Sequence, residues 1–265
     1  MSDMISPDTG IARSDAVTAR RALGLLDLTD LGDQASETGT LQLCARAVAA
    51  PGPVAAICIW PQFVSLAKRT LGEASVRVAT VVNFPAGGTN VSRISGDTQE
   101  AIQDGADEID LVLPYKTLLQ GDTEIAADMV REIKAICGPV LLKVILETGS
   151  YPDQASIRVA SDLAIEAGAD FIKTSTGKTA VSATPEAART MLEAIKAHGL
   201  PVGLKPSGGI RTLADAKTYL DLADEIMGPS WANPRTFRFG ASGLHQVLVD
   251  VMAGKAQRES GDGAY

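Results

Sequence analysis

The chain has 265 residues, 45% of them apolar, enough to bury one large core or two small ones, and no break in composition marks a boundary. With 32 acidic against 24 basic side chains and a net charge of -8, it is a poor match for nucleic acid or an anionic membrane, both of which reward a basic surface. Cys44, Cys58 and Cys137 are odd in number and form no CxxC pair, so neither a disulfide framework nor a zinc site is suggested and a reducing cytoplasm suits the chain.

The opening MSDMISPDTG has no basic or apolar export region, and no apolar run reaches the roughly 18 residues of a membrane span. Two helical stretches, Ser14 to Leu26 and Glu37 to Ala49, are expected ahead of the first strand, capping the floor of the fold. Strands are then expected at AAICIWP from Ala55, VRVATVVNFP from Val76, DEIDLVLP from Asp107 and VLLKVILET from Val140. Four more follow at DFIKTST from Asp170, VGLKPSGG from Val202, DEIMG from Asp224 and FRFGASG from Phe237. Near-continuous apolar runs suit parallel strands covered on both faces, and about eight strand-helix units predict a (β/α)8 barrel. A doubly wound open sheet is the alternative. Residues 1–24 read as an amino-terminal extension leading into the first helix, 25–254 as one barrel domain and the small, polar 255–265 as a flexible tail.

Side chains alternate across a strand, which places Asp110 and Val112 inward and Ile109, Leu111 and Leu113 toward the helices. The same count turns Lys143, Glu147, Phe171, Lys173, Ser175, Gly203 and Lys205 inward, near the carboxyl end of the barrel where active sites of this architecture lie. On adjacent strands about 4.8 Å apart, the ammonium groups of Lys173 and Lys205 repel by roughly 3 kcal/mol at an effective dielectric of about 20. That repulsion alone is worth about two pKa units and burial adds to it, while Asp110 and Glu147 oppose both, so one lysine is expected near neutrality as a nucleophile toward carbonyls and the other kept protonated by a carboxylate. The plainer alternative is a buried ion-pair network of the three lysines with Asp110 and Glu147. Ser207-Gly208-Gly209, Gly240-Ala241-Ser242-Gly243 and Gly177-Lys178 lie on one rim and suit a phosphate, although glycines there also serve ordinary turns.

The chain resembles deoxyribose-phosphate aldolase through LLDLTDL from Leu25, AAICIWPQF, VATVVNFP, GADEIDLVLPY, LLKVILETG, AGADFIKTSTGK, GLKPSGGIRT, RFGASG and the terminal Tyr265. The match runs from about Leu25 to the last residue, and ADFIKTSTGK together with KPSGGIRT is highly specific. The resemblance implies a class I aldolase, without metal or cofactor, that reversibly cleaves 2-deoxy-D-ribose 5-phosphate to D-glyceraldehyde 3-phosphate and acetaldehyde. It implies Lys173 as the Schiff-base lysine, Lys205 as the second lysine that lowers its proton affinity, Asp110 as the carboxylate that moves protons with a water, and Tyr265 as a helper from a mobile tail. Asp27, Thr29 and Lys143 are implied in the substrate pocket, and Gly177, Lys178, Gly208, Gly209, Ser242 and Gly243 in the phosphate cradle. Gly243 departs from the serine found in relatives and keeps only a backbone donor. The implied partners are the sugar phosphate and acetaldehyde, with no nucleic acid or membrane, and a dimer or tetramer is expected. Another Schiff-base aldolase or transaldolase would share the inward lysine, and a non-catalytic barrel would bind a sugar phosphate without turnover. A metal-dependent aldolase would want clustered histidines, and His198 and His245 stand apart.

Overall fold

The computed structural model describes residues 7–255, in which strands alternate with helices. The first half runs α1 (Pro7–Leu23), β1 (Leu26–Asp30), α2 (Glu37–Ala47), β2 (Ala56–Ile59), α3 (Val64–Leu71), β3 (Arg77–Val82), α4 (Val91–Gln103) and β4 (Glu108–Val112). It continues through α5 (Tyr115–Leu119), α6 (Thr123–Cys137), β5 (Leu141–Ile145), α7 (Gln154–Glu166) and β6 (Phe171–Lys173). The chain then forms α8 (Pro185–His198), β7 (Gly203–Lys205), α9 (Leu213–Met227), β8 (Phe239–Ala241) and α10 (Leu244–Met252). All eight strands are parallel, in the order β7-β6-β5-β4-β3-β2-β1-β8. Parallel bridges from Leu204 to Phe237 and from Ser207 to Gly240 join the two ends. The ring closes, so the architecture is the (β/α)8 barrel and not an open sheet.

Two of the expected strands differ. The first strand is Leu26–Asp30, ahead of AICI, so α2 follows a strand and belongs to the outer helix layer instead of capping the floor. Leu26 and Leu28 enter the main apolar core while Asp27 and Thr29 are buried on the opposite face. Carboxylates are poor strand formers, and here a tertiary charge partner overrides the local preference. Conversely, Asp224–Gly228 ends a helix: Leu220, Ala223 and Ile226 are buried with helical spacing on α9. That helix starts at a reciprocal capping box between Thr212 and Asp215.

The core lies mainly between the barrel wall and the helices, where Ile109, Leu111, Val144, Ile172 and Leu204 meet buried residues of the outer layer. Ala19, Ala22 and Leu23 of α1 join this core, and α1 packs against α9 and α10. Inside the barrel, glycine makes room for larger neighbours. Gly203 stands beside Phe171 in register, and a Cβ at that position would collide with the Phe171 ring. Gly203→Ala is expected to overpack the lumen at a cost of about 1–3 kcal/mol, read as a lowered Tm; an unchanged Tm would contradict this packing. Among the described residues no helix is long and apolar enough to cross a membrane.

Candidate active site

Five strands and the segment leading into a sixth send ionisable side chains into the lumen. Asp27 comes from β1, Glu108 and Asp110 from β4, Lys143 from β5, Lys173 from β6, Lys205 from β7 and Arg238 from the residue before β8. All seven are buried. Lys173 and Lys205 are direct register partners, as the alternation of the sequence requires. Both donate to the same oxygen of Asp110, Lys173 Nζ at 2.8 Å and Lys205 Nζ at 2.7 Å from Oδ2. Lys205 also reaches Asp27 Oδ2 at 2.6 Å. Lys143 lies opposite Phe171 in register, one inward position below Lys173, and pairs with Glu108 at 2.6 Å, Asp110 at 2.8 Å and Asp27 at 3.6 Å. Arg238 closes the floor with Asp27 at 2.6 Å and Glu108 at 2.7 Å.

These contacts make the three lysines unequal. Burial lowers the proton affinity of each one. For Lys143 the nearby Asp110 and Glu108 outweigh burial and raise it. Lys205 is raised well above the usual lysine range because Asp110 and Asp27 together overcome burial. Lys173 is the exception: burial, helped by the Lys205 charge, outweighs Asp110, and its proton affinity falls. Burial would raise Asp110, but Lys143, Lys173 and Lys205 hold it well below the usual carboxylate range. Lys173 is therefore the one of the three that gives up its proton most readily, beside an ionised carboxylate and a strongly basic lysine.

The carboxyl-end rim brings three loops together. Gly177, Gly208 and Gly209 have φ values of +80°, +84° and +79°, a region glycine enters without strain. A Cβ on Gly208 would lie 3.3 Å from Gly177 Cα, so the loops after β6 and β7 touch. Ser207 bridges to Gly240 within β8, which brings the carboxyl end of that strand, and the turn into α10, to the same rim. Ser242 and Gly243 are exposed at the start of α10, whose first turn has no side-chain cap, so its backbone donors and dipole face the rim. Lys178 stands on the same rim, its Nζ 3.8 Å from Asp33 Oδ1.

The model of the DeoC/LacD family aldolases matches residues 26–242. The chain belongs to this family. A deoxyribose-phosphate aldolase of Agrobacterium fabrum (strain C58 / ATCC 33970) is 51% identical over 247 residues, covering 92% of this chain and 95% of that one. A crystal structure from Toxoplasma gondii ME49, provisionally assigned as a deoxyribose-phosphate aldolase, superposes with a TM-score of 0.84 at 25% identity, covering 92% of this chain and 97% of that one. The deoxyribose phosphate aldolase of Aeropyrum pernix, described as a unique tetrameric structure, shares the fold with a TM-score of 0.71 at 23% identity, over 90% of this chain and 97% of its own.

In this DeoC/LacD aldolase the alternation rule brought Asp110, Lys143, Lys173 and Lys205 together and failed for Glu147. Strand β5 ends at Ile145, and Glu147 turns into the left-handed region with φ +61°. Its carboxylate accepts from Thr176 Oγ1 at 2.5 Å and Thr179 Oγ1 at 3.2 Å, so it holds the loop after β6 instead of the lysines. Lys143 and Asp27 lie within the ion network, where their influence passes through Asp110 and Lys205. Thr29, 5% exposed, points the same way as Asp27 and donates to the Asp27 carbonyl at 2.8 Å. Glu108 and Arg238 were missed, although Glu108 shares the inward parity of Asp110 and Arg238 lies between two outward phenylalanines in FRF. Cys58 is also in the lumen, its Sγ 4.0 Å from Asp110 Oδ2, with burial pushing the thiol up. His198 pairs with Asp162 at 3.0 Å on the helix layer, and His245 is buried on α10. Tyr265 lies outside the described residues.

Proposed function

We propose that this aldolase reversibly cleaves 2-deoxy-D-ribose 5-phosphate to D-glyceraldehyde 3-phosphate and acetaldehyde, with Lys173 as the Schiff-base nucleophile. The observation that carries this reading is the inequality of the lysines: Lys173 has one carboxylate partner, shared with Lys205, while Lys205 and Lys143 have two or more. Kinship to the Agrobacterium fabrum enzyme supports the substrate.

Neutral Lys173 attacks the aldehyde carbon of the open-chain sugar, and loss of water gives an iminium. A base takes the proton of the C3 hydroxyl, the C2–C3 bond breaks, and its electron pair flows to C2 as the iminium becomes an enamine. Glyceraldehyde 3-phosphate departs. Protonation at C2 and hydrolysis of the iminium then free acetaldehyde and the lysine. Asp110, with a water, and Lys205 serve the proton transfers, since one is held ionised and the other protonated around the amine that reacts. Tyr265 from the tail assists in the same proposal. Thr29 and Asp27 line the pocket beside Lys205. Gly177, Lys178, Gly208, Gly209, Ser242 and Gly243 hold the phosphate with backbone donors, one hydroxyl and one ammonium.

Assay of deoxyribose 5-phosphate cleavage tests the substrate, and deoxyribose without phosphate is expected to react with a much higher KM. Ser242→Ala is expected to raise KM about tenfold with kcat nearly unchanged, the size of one hydrogen bond to a charged group that is kept in the transition state. A variant that loses kcat instead would place Ser242 in the chemistry. Assembly into a dimer or tetramer through helix faces, checked by light scattering, and residence in the cytoplasm, where the buried free cysteines at 44, 58 and 137 stay reduced, belong to the same proposal.

A further inference from the structure

Arg238 enters the lumen from beneath the lysines. Its Nε donates to the Pro234 carbonyl at 2.6 Å, which fixes the fork with its other nitrogens turned inward. One of these meets Asp27 Oδ1 at 2.6 Å and Glu108 Oε2 at 3.2 Å, the other Glu108 Oε1 at 2.7 Å. The guanidinium carbon lies 5.8 Å from the centre of the Phe171 ring, which packs beside it in the barrel. Arginine keeps its proton in proteins, so this is a permanent charge.

The buried cluster has three acids, Asp27, Glu108 and Asp110, against four bases, Lys143, Lys173, Lys205 and Arg238. One positive charge is in excess, and a buried excess charge is costly. Arginine cannot relieve it. Lys143 touches three carboxylates and Lys205 touches two, leaving Lys173, with only its share of Asp110, as the group that loses least by giving up a proton.

We propose that Arg238 is a positioning residue for the reaction: as the permanent cation on the barrel floor it occupies Asp27 and Glu108 and so makes Lys173 the surplus base of the cluster. The inference rests on Lys173 being the nucleophile. The groups that act on Lys173 directly are Asp110 from β4, Lys205 from β7 and Cys58 from β2; behind them in the same ion network stand Lys143 from β5, Asp27 from β1, Glu108 from β4 and Arg238. The carboxylates favour its charged form and the cations its neutral form, while the Cys58 thiol stays protonated through burial.

Removing a positive charge must raise the proton affinity of Lys173, and removing a negative charge must lower it. The test is the pH dependence of borohydride-trapped adduct formation at Lys173 with acetaldehyde. For charges roughly 10 Å apart at an effective dielectric of about 20, Arg238→Met is expected to move the acid limb up by about one pH unit. Glu108→Gln is expected to move it down, and the double variant, which restores an excess of one positive charge, to return it toward wild type. Arg238→Lys, which keeps the charge, should leave it in place. A purely structural role predicts no such opposed shifts and no restoration in the double variant. If Arg238→Met does not fold, the Glu108→Gln and double variants decide. An acid limb that stays put in Glu108→Gln, or a double variant that remains displaced, would overturn the role of Arg238 while leaving Lys173 as nucleophile. A wild-type enzyme with no Lys173 adduct would overturn the nucleophile assignment on which the role depends.

Discussion

Lys173→Leu is expected to lower kcat for deoxyribose 5-phosphate cleavage by at least about four orders of magnitude and to leave the Tm unchanged or slightly raised. The loss is large because among the described residues no other amine in the lumen is free to act: Lys143 and Lys205 are held protonated by two or more carboxylates each. Removing the nucleophile of a covalent mechanism costs factors of this size. The fold survives because leucine fills much of the volume of the lysine stem and takes away the excess charge. Asp110 keeps Lys143 at 2.8 Å and Lys205 at 2.7 Å, so no carboxylate is left alone. Steady-state kinetics and a thermal melt check the two halves together. Turnover within tenfold of wild type would remove Lys173 from the chemistry.

Lys205→Leu is expected to lose both turnover and stability. Asp27 would keep Arg238 at 2.6 Å and Lys143 at 3.6 Å, but the 2.6 Å contact to Lys205 would be gone. Breaking one partner out of a buried ion network costs about 3–5 kcal/mol, so the Tm should fall by several degrees or more. The count then becomes three acids against three bases, and Lys173 becomes the partner that Asp110 needs. Its proton affinity rises, and the amine is protonated at neutral pH. Turnover should therefore be nearly absent at neutral pH and recover only in part as the pH is raised, because the proton donor is missing too. The contrast separates the roles: the nucleophile is dispensable to the fold, the second lysine is not. A Lys205→Leu enzyme with wild-type Tm and an unchanged pH profile would contradict the electrostatic account.

Much of this site follows from a period of two. In EIDLV and FIK the alternation of side chains is enough to turn Asp110 and Lys173 into the lumen, and the register of β6 on β7 then sets Lys173 beside Lys205. The same rule would have found Glu108, which shares the face of Asp110, and Arg238, which alternates with the outward Phe237 and Phe239. The rule stops where the strand stops, which is why Glu147, two residues past Ile145 and left-handed, went to the Thr176 loop. Strand β1 was hidden for another reason. LDLTD carries two aspartates in five residues, a poor strand by propensity, and only the distant Lys205 and Arg238 make its buried Asp27 tolerable. Asp224–Gly228 misled in the opposite direction, because a short apolar run at the end of a helix has no periodicity of its own. Three-dimensional pairing also ranked the lysines. Their inward direction is legible in the sequence, but the number of carboxylates each one touches depends on strand order and shear.

The central claim is that Lys173 is the neutral amine of the cluster and forms the Schiff base. Incubation with acetaldehyde in the presence of a chelator, reduction with borohydride and peptide mass mapping test it directly. The account predicts an N-ethyl group confined to Lys173, with loss of activity in proportion to labelling. A dominant adduct on Lys205 or Lys143, or full turnover without any lysine adduct, would contradict it.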